Sequence, residues 1–219
     1  MTTEAHLLRL MTWLSPAFPV GSFSYSHGLE TAIRDGTVST ADALCGWIAG
    51  LIEHGSGWTD AVLFKAAWDA ATAHDAPGLA DIVELAEALA PSLERRRETL
   101  GQGEAFLTAA RAWGQPMLDG AVAYPVAVGT VTAGASIPLE TALAAWLHAF
   151  AANLVSVAVR AVPLGQTDGV AVIAELEPVI LATAARAAAS TLDDLGSSAL
   201  CSDIAAMRHE TLDVRLFIS

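Results

Sequence analysis

Leu139-Glu-Thr-Ala-Leu-Ala-Ala-Trp-Leu-His-Ala-Phe-Ala-Ala-Asn-Leu-Val-Ser-Val-Ala-Val-Arg-Ala-Val162 either crosses a membrane or forms the heart of a helical bundle, and the choice sets the architecture of the whole chain. A membrane-spanning helix needs about twenty uninterrupted, mainly apolar residues. His148, Asn153 and Arg160 break this run, and its bulk is alanine as much as leucine. It is therefore predicted to be the buried central helix of a bundle, with no part of the chain in a membrane. Val170–Thr191 carries the other long helical pattern, joined to the first by Pro163-Leu-Gly-Gln-Thr-Asp-Gly169. Ala121–Ala133 predicts a further buried helix, with a strand over the β-branched Val122–Val131 as the alternative.

Outward from this pair the helical period continues. Residues 3–14 form a short helix that stops at Ser15-Pro16, because proline disfavours helical geometry in the residue before it. Pro16-Ala-Phe-Pro19-Val-Gly21 follows as a stiff, apolar connector. A second helix is expected from Ser22 to Arg34, ending at Asp35-Gly36. Ser39-Thr-Ala-Asp42 resembles a capping box ahead of Leu44, Trp47, Ile48 and Leu51, which repeat at the helical period up to Gly55. Thr59–Ala73 and a helix opened by Pro77 come next. In the latter Leu79, Ile82, Val83, Ala86 and Leu89 form one stripe, and Asp81, Glu84 and Glu87 lie opposite. From Ser92 to Trp113 the pattern stays helical across Gly101 and Gly103. Two such glycines cost about 2 kcal/mol together relative to alanine, which points to another chain segment approaching closely there. A last helix is expected over Ser202–Leu212. No alternating strand pattern bounded by hairpin turns occurs, nor any internal repeat or low-complexity linker. The expectation is an all-α, single-domain bundle of about eight to ten helices over residues 1–219.

Composition narrows the function. Hydrophobic residues are 53% of the 219 and charged ones only 16%, enough for a sizeable core and too apolar for disorder. Eleven Lys+Arg against 24 Asp+Glu give a net charge of −13, which repels phosphate backbones, so nucleic acid is not an expected partner. Arg95-Arg96-Arg97 is bracketed by Glu94 and Glu98 and reads as a solvated, salt-bridged helix face. Cys45 and Cys201 stand far apart, outside any metal-type pair, and suit a reducing cytoplasm. Met1-Thr-Thr-Glu4 has neither the basic start nor the apolar run of a signal peptide.

Enzyme motifs are scarce. The single lysine, Lys65, lies mid-helix and belongs to no phosphate-cradling glycine loop. No His-Glu-x-x-His or paired Cys/His set offers a zinc site. Cys201 and His209 stand about 12 Å apart along a helix axis, too far to share an ion, while His209 and Asp213 are at best a weak chelate. Ser24, His27 and Glu30 have the residue types of a hydrolase triad at three-residue spacing on the expected second helix. One helix spreads such side chains along its axis, and no nucleophile elbow precedes them, so a polar packing face is preferred and a small helical hydrolase is the alternative. Two features exceed a plain core: the apolar connector running into Ser22-Phe-Ser-Tyr-Ser26, and the tail Arg215-Leu-Phe-Ile-Ser219. Chain ends this apolar are expected to dock, on the body or on a partner.

Taken in order, these segments resemble one family. Pro16-Ala-Phe-Pro-Val-Gly-Ser-Phe-Ser-Tyr-Ser-His-Gly-Leu-Glu30 is similar to the opening signature of UreF urease accessory proteins. Arg97-Glu-Thr-Leu-Gly-Gln-Gly103 resembles a mid-chain Arg-Glu-Ser-x-x-x-Gly element, with Thr99 in place of serine. Tyr124-Pro125 with Gly129, the loop Pro163–Gly169 followed by Val170 where glutamine is expected, Asp193-Asp-Leu-Gly196, His209-Glu210 and Arg215-Leu-Phe-x-Ser219 complete it. The match runs over nearly the whole chain.

The resemblance implies an all-α, dimeric, cytoplasmic protein with no reaction of its own and no cofactor of its own. It implies a chaperone of nickel insertion that bridges UreD (also called UreH) and the GTPase UreG on urease apoprotein, with nickel and GTP handled by the complex. An unrelated helical adaptor is the remaining alternative. The expected partner-binding residues are Pro16, Pro19, Gly21, Phe23, Ser24, Tyr25, Arg215, Leu216, Phe217 and Ser219, in a docking segment over 1–25 and a tail over 213–219. Tyr25 and Arg215 are expected to be the pair that fixes the tail, the two ends ordering together when UreD binds and creating the surface that UreG recognises.

Overall fold

The computed structural model describes residues 2–114, 117–161 and 164–218. Ten α-helices and no strand occur among them, so the all-α expectation holds. Helix α8 (Leu139–Ala161) lies at the centre: Ala142, Leu143, Leu147, Leu154 and Val157 are wholly buried on it. It packs on α9 (Gln166–Ala188) and also meets α2 (Leu29–Arg34), α3 (Ala41–His54), α4 (Ser56–Thr72) and α7 (Tyr124–Gly134). By length and composition this is the one described helix apolar enough to cross a membrane, but half of that apolar window is covered by protein. Helix α4 is the second hub, packed on α7, α3 and α5 (Ala76–Ala88).

Local chemistry explains the helix starts. Thr2, Thr40, Asp75 and Ser92 each accept a backbone N–H from the first turn of α1 (Thr3–Trp13), α3, α5 and α6 (Leu93–Ala110). The cap of α3 is thus Thr40, one residue after the expected Ser39. Helix α9 begins at Gln166, so half of the expected Pro163–Gly169 loop is its first turn; Pro163 itself lies outside the described residues. Of the Val122–Val131 segment, Tyr124 onward is helical in α7, and Val122 and Ala123 lead into it. Gly103 has the close neighbour expected of it: a Cβ there would sit 1.7 Å from the Val122 carbonyl oxygen, whereas Gly101 faces open space.

The largest departure lies between Ser22 and Arg34. A single 3₁₀ turn at Ser22–Ser24 is followed by extended Tyr25, and the helix starts only at Leu29. His27 and Gly28 between them are left-handed, at φ 52° and 78°. Gly28 has no room for a side chain, since a Cβ would meet the Ala206 nitrogen at 2.7 Å. That close approach seats α2 against α10 (Leu200–His209), and only glycine combines the turn with the contact.

Candidate functional site

The two ends of the chain meet. Ile218 donates its N–H to the Ser24 carbonyl at 2.7 Å, joining the tail to the turn after the apolar connector. Arg160, near the end of α8, donates to the Phe23 carbonyl at 2.9 Å, and its guanidinium lies 4.9 Å from the centre of the Phe217 ring. Asn153, two turns earlier, reaches the Tyr25 carbonyl at 3.4 Å. Two of the three polar residues that interrupt the apolar run of α8, Asn153 and Arg160, therefore hold the N-terminal segment.

Glu30 anchors the tail from the other side. Its carboxylate accepts the Leu216 N–H at 2.9 Å, the Phe217 N–H at 3.0 Å, and a contact from His209 Nε2 at 3.1 Å. Burial pushes the Glu30 carboxyl up, but these donors outweigh it and leave it below the ordinary glutamate value. His209 Nδ1 lies 3.0 Å from Glu94, which also pairs with Arg215. The chain α2–α10–α6–tail is thus closed through Glu30, His209, Glu94 and Arg215. Phe217 is buried, while Phe23, Val214, Leu216 and Ile218 face outward, and Leu200, Ile204 and Met207 are exposed on α10.

Behind the joined ends lies a buried charge cluster. His27 Nε2 is 3.1 Å from both Glu98 Oε1 and Arg95 Nη1, Arg95 pairs with Glu98, and Asp60 stands 3.8 Å from Arg95. Gln102 donates to Glu98, and the Phe150 ring packs edge-on to His27. Burial and the neighbouring arginine push the His27 pKa down, against the pull of Glu98. Burial would raise Glu98, but Arg95 and His27 hold it at about 2. For Asp60 burial wins over Arg95, with Glu98 adding to it, and its pKa rises to about 6. A cavity of about 140 Å³ opens between this cluster and the connector, lined by Pro16, His27, Arg95, Tyr124 and Asn153 among others.

Several expectations are corrected here. Arg95 and Glu98 are no solvated face: they are 7% and 2% exposed. Only Arg96, paired with Glu87, and the exposed Arg97 fit that reading. The signal was available, because Arg95, Glu98, Gln102 and Phe106 extend the buried stripe of α6 at i, i+3, i+7 and i+11. Ser24, His27 and Glu30 do not share a helix; His27 turns to Glu98 and Arg95, and Glu30 to His209 and the tail. Arg215 pairs with Glu94, and the Tyr25 carbonyl accepts from Asn153. Cys201 is exposed and His209 wholly buried. Among the described residues no group of three or more His, Cys, Asp or Glu is placed to hold a metal ion.

The family model described as UreF matches residues 38–177. The urease accessory protein UreF of Rhizobium etli is 56% identical over 216 residues, covering 97% of this chain and 96% of that one. Its counterparts in Mesorhizobium japonicum and Agrobacterium fabrum are each 52% identical, over 97% and 98% of this chain and 96% and 97% of theirs. The chain belongs to the UreF family. Its opening UreF-like signature supplies Phe23, Ser24 and Glu30, and its closing one supplies His209, Arg215 and Phe217; the fold brings both to one place. The Thr99 hydroxyl accepts the Tyr124 N–H at 3.1 Å, at the first residue of α7. Val170 is exposed on α9. Pro16 and Pro19 are exposed on the connector, and Gly21 is left-handed at φ 73°. Ser219 lies outside the described residues.

Proposed function

We propose that this chain is a non-catalytic scaffold of urease maturation, docking UreD (UreH) with its joined chain ends and recruiting the GTPase UreG to the assembly on urease apoprotein. Nickel is cargo and GTP is the GTPase's substrate; the chain holds neither as a cofactor. It acts in the cytoplasm, as a homodimer. The observation that carries this reading is the outward display of Phe23, Val214, Leu216 and Ile218, on a surface fastened from beneath by Glu30, Arg160 and Glu94. Such a cluster of large apolar groups on a held backbone suits a protein partner, because little ordering entropy is left to lose on binding. Relatives named as accessory proteins support the same role.

The test is size-exclusion chromatography with light scattering on the chain mixed with cognate UreD and then UreG. A three-component complex that a chain ending at Leu212 fails to form supports the reading. Equal assembly by the shortened chain removes the tail from the mechanism, and no assembly with any nucleotide removes the urease role.

A further inference from the structure

We propose that Glu30 is the positioning residue that latches the C-terminal tail, so that partner docking depends on a carboxylate that itself lies beneath the docking surface. The inference rests on the docking role proposed above and adds the residue that controls it.

Glu30 is only 2% exposed, yet its partners come from two distant segments, the end of α10 and residues 216–217. One carboxylate receives two consecutive backbone N–H groups, which fixes the direction of the tail as well as its position. The direction matters because alternate residues then part company. Phe217 turns inward against Arg160, while Leu216 and Ile218 turn outward. Gly28 makes the arrangement possible, since its turn and missing side chain bring the first turn of α2 against Ala206 and aim Glu30 at His209. Further fastenings accompany it. Arg215 and its Glu94 partner hold one side chain near the surface, and the Ile218–Ser24 bond is a single contact at the rim. Glu30→Gln leaves one weaker oxygen acceptor where two charged ones served the Leu216 and Phe217 amides and His209, and sets an NH2 group against one of these donors, which loosens Phe217.

The experiment compares the full chain, Glu30→Gln and Phe217→Ala by amide hydrogen exchange, and then by affinity for cognate UreD. Glu30→Gln is expected to speed exchange at Leu216 and Phe217 at least tenfold, while α8 amides such as Leu147 and Leu154 change less than twofold. UreD affinity is expected to fall at least tenfold, with no further loss when the same substitution is made in a chain ending at Leu212. Phe217→Ala, which leaves the buried carboxylate intact, is expected to loosen the tail and weaken UreD binding to the same degree; it also covers the case in which Glu30→Gln fails to fold. Unchanged tail exchange in Glu30→Gln overturns the latch, as does an affinity loss that persists undiminished in the shortened chain. Failure of the docking role looks different: the unsubstituted full and shortened chains then bind UreD alike.

Discussion

Ile218 and Ser24, 194 positions apart in the chain, are joined by a 2.7 Å hydrogen bond from the N–H of the first to the carbonyl of the second. Everything near that bond is arranged to keep the two ends together. Arg160 touches both, binding the Phe23 carbonyl and covering the Phe217 ring. The N-terminal signature and the C-terminal tail therefore form one surface.

Phe217 is the apolar anchor of that surface. Phe217→Ala is expected to lower unfolding free energy by about 3 kcal/mol, the lower end of the range for buried phenylalanine because the tail can relax. Urea denaturation should show a lower midpoint with an unchanged slope.

Asp60 carries a pH signature. Its pKa rises from 3.8 to about 6 on folding, so the folded state holds this proton more tightly than the unfolded one. Stability from this group is full below pH 4 and is lost as pH rises through about 6. Asp60→Asn is expected to remove that loss and gain about 1–3 kcal/mol at pH 7, discounted for the water that still reaches the carboxyl. Melting temperature against pH between 4 and 8 should fall less steeply in the variant than in the parent.

Glu98 works in the opposite sense. Held at about 2, it stabilises the fold above pH 4.5 and loses that contribution as pH drops toward 2. Glu98→Gln leaves Arg95 buried without its main counter-charge and is expected to cost about 3–5 kcal/mol. Replacing both, as Arg95→Met with Glu98→Leu, should recover much of the loss in the same denaturation assay.

The two glycines of α6 should part company. Gly103→Ala would drive a Cβ into the Val122 carbonyl and is expected to cost about 3 kcal/mol. Gly101→Ala meets open space within a helix and is expected to gain up to about 1 kcal/mol. Thermal unfolding of the two variants side by side checks both signs.

Helices were legible wherever local chemistry governs them. Ser92 before α6, Pro77 in the first turn of α5 and the apolar period of α3 all read correctly from residue type alone. The Ser22–Arg34 helix did not, because helix-compatible residues there are overruled by a tertiary contact: Gly28 must clear Ala206. The apolar tail was expected to dock on the body or on a partner, and Phe217 does pack on the body, but its fastening residues did not announce themselves. Glu30 was absorbed into a false triad, and Glu94, Arg95 and Glu98 looked like any charged helix face. Which of those charges is buried depends on the face of α6 that meets the α2 turn and the tail, and only the faint continuation of the Phe106 stripe marks it.

Amide exchange of the whole chain, alone and saturated with cognate UreD, bears most directly on the joined ends as a single docking surface. Segments 22–25 and 214–218 should gain protection together, by at least tenfold, with the outer face of α5 unchanged. Protection confined to α5 or the exposed side of α9, with both chain ends exchanging as in the free protein, would contradict it.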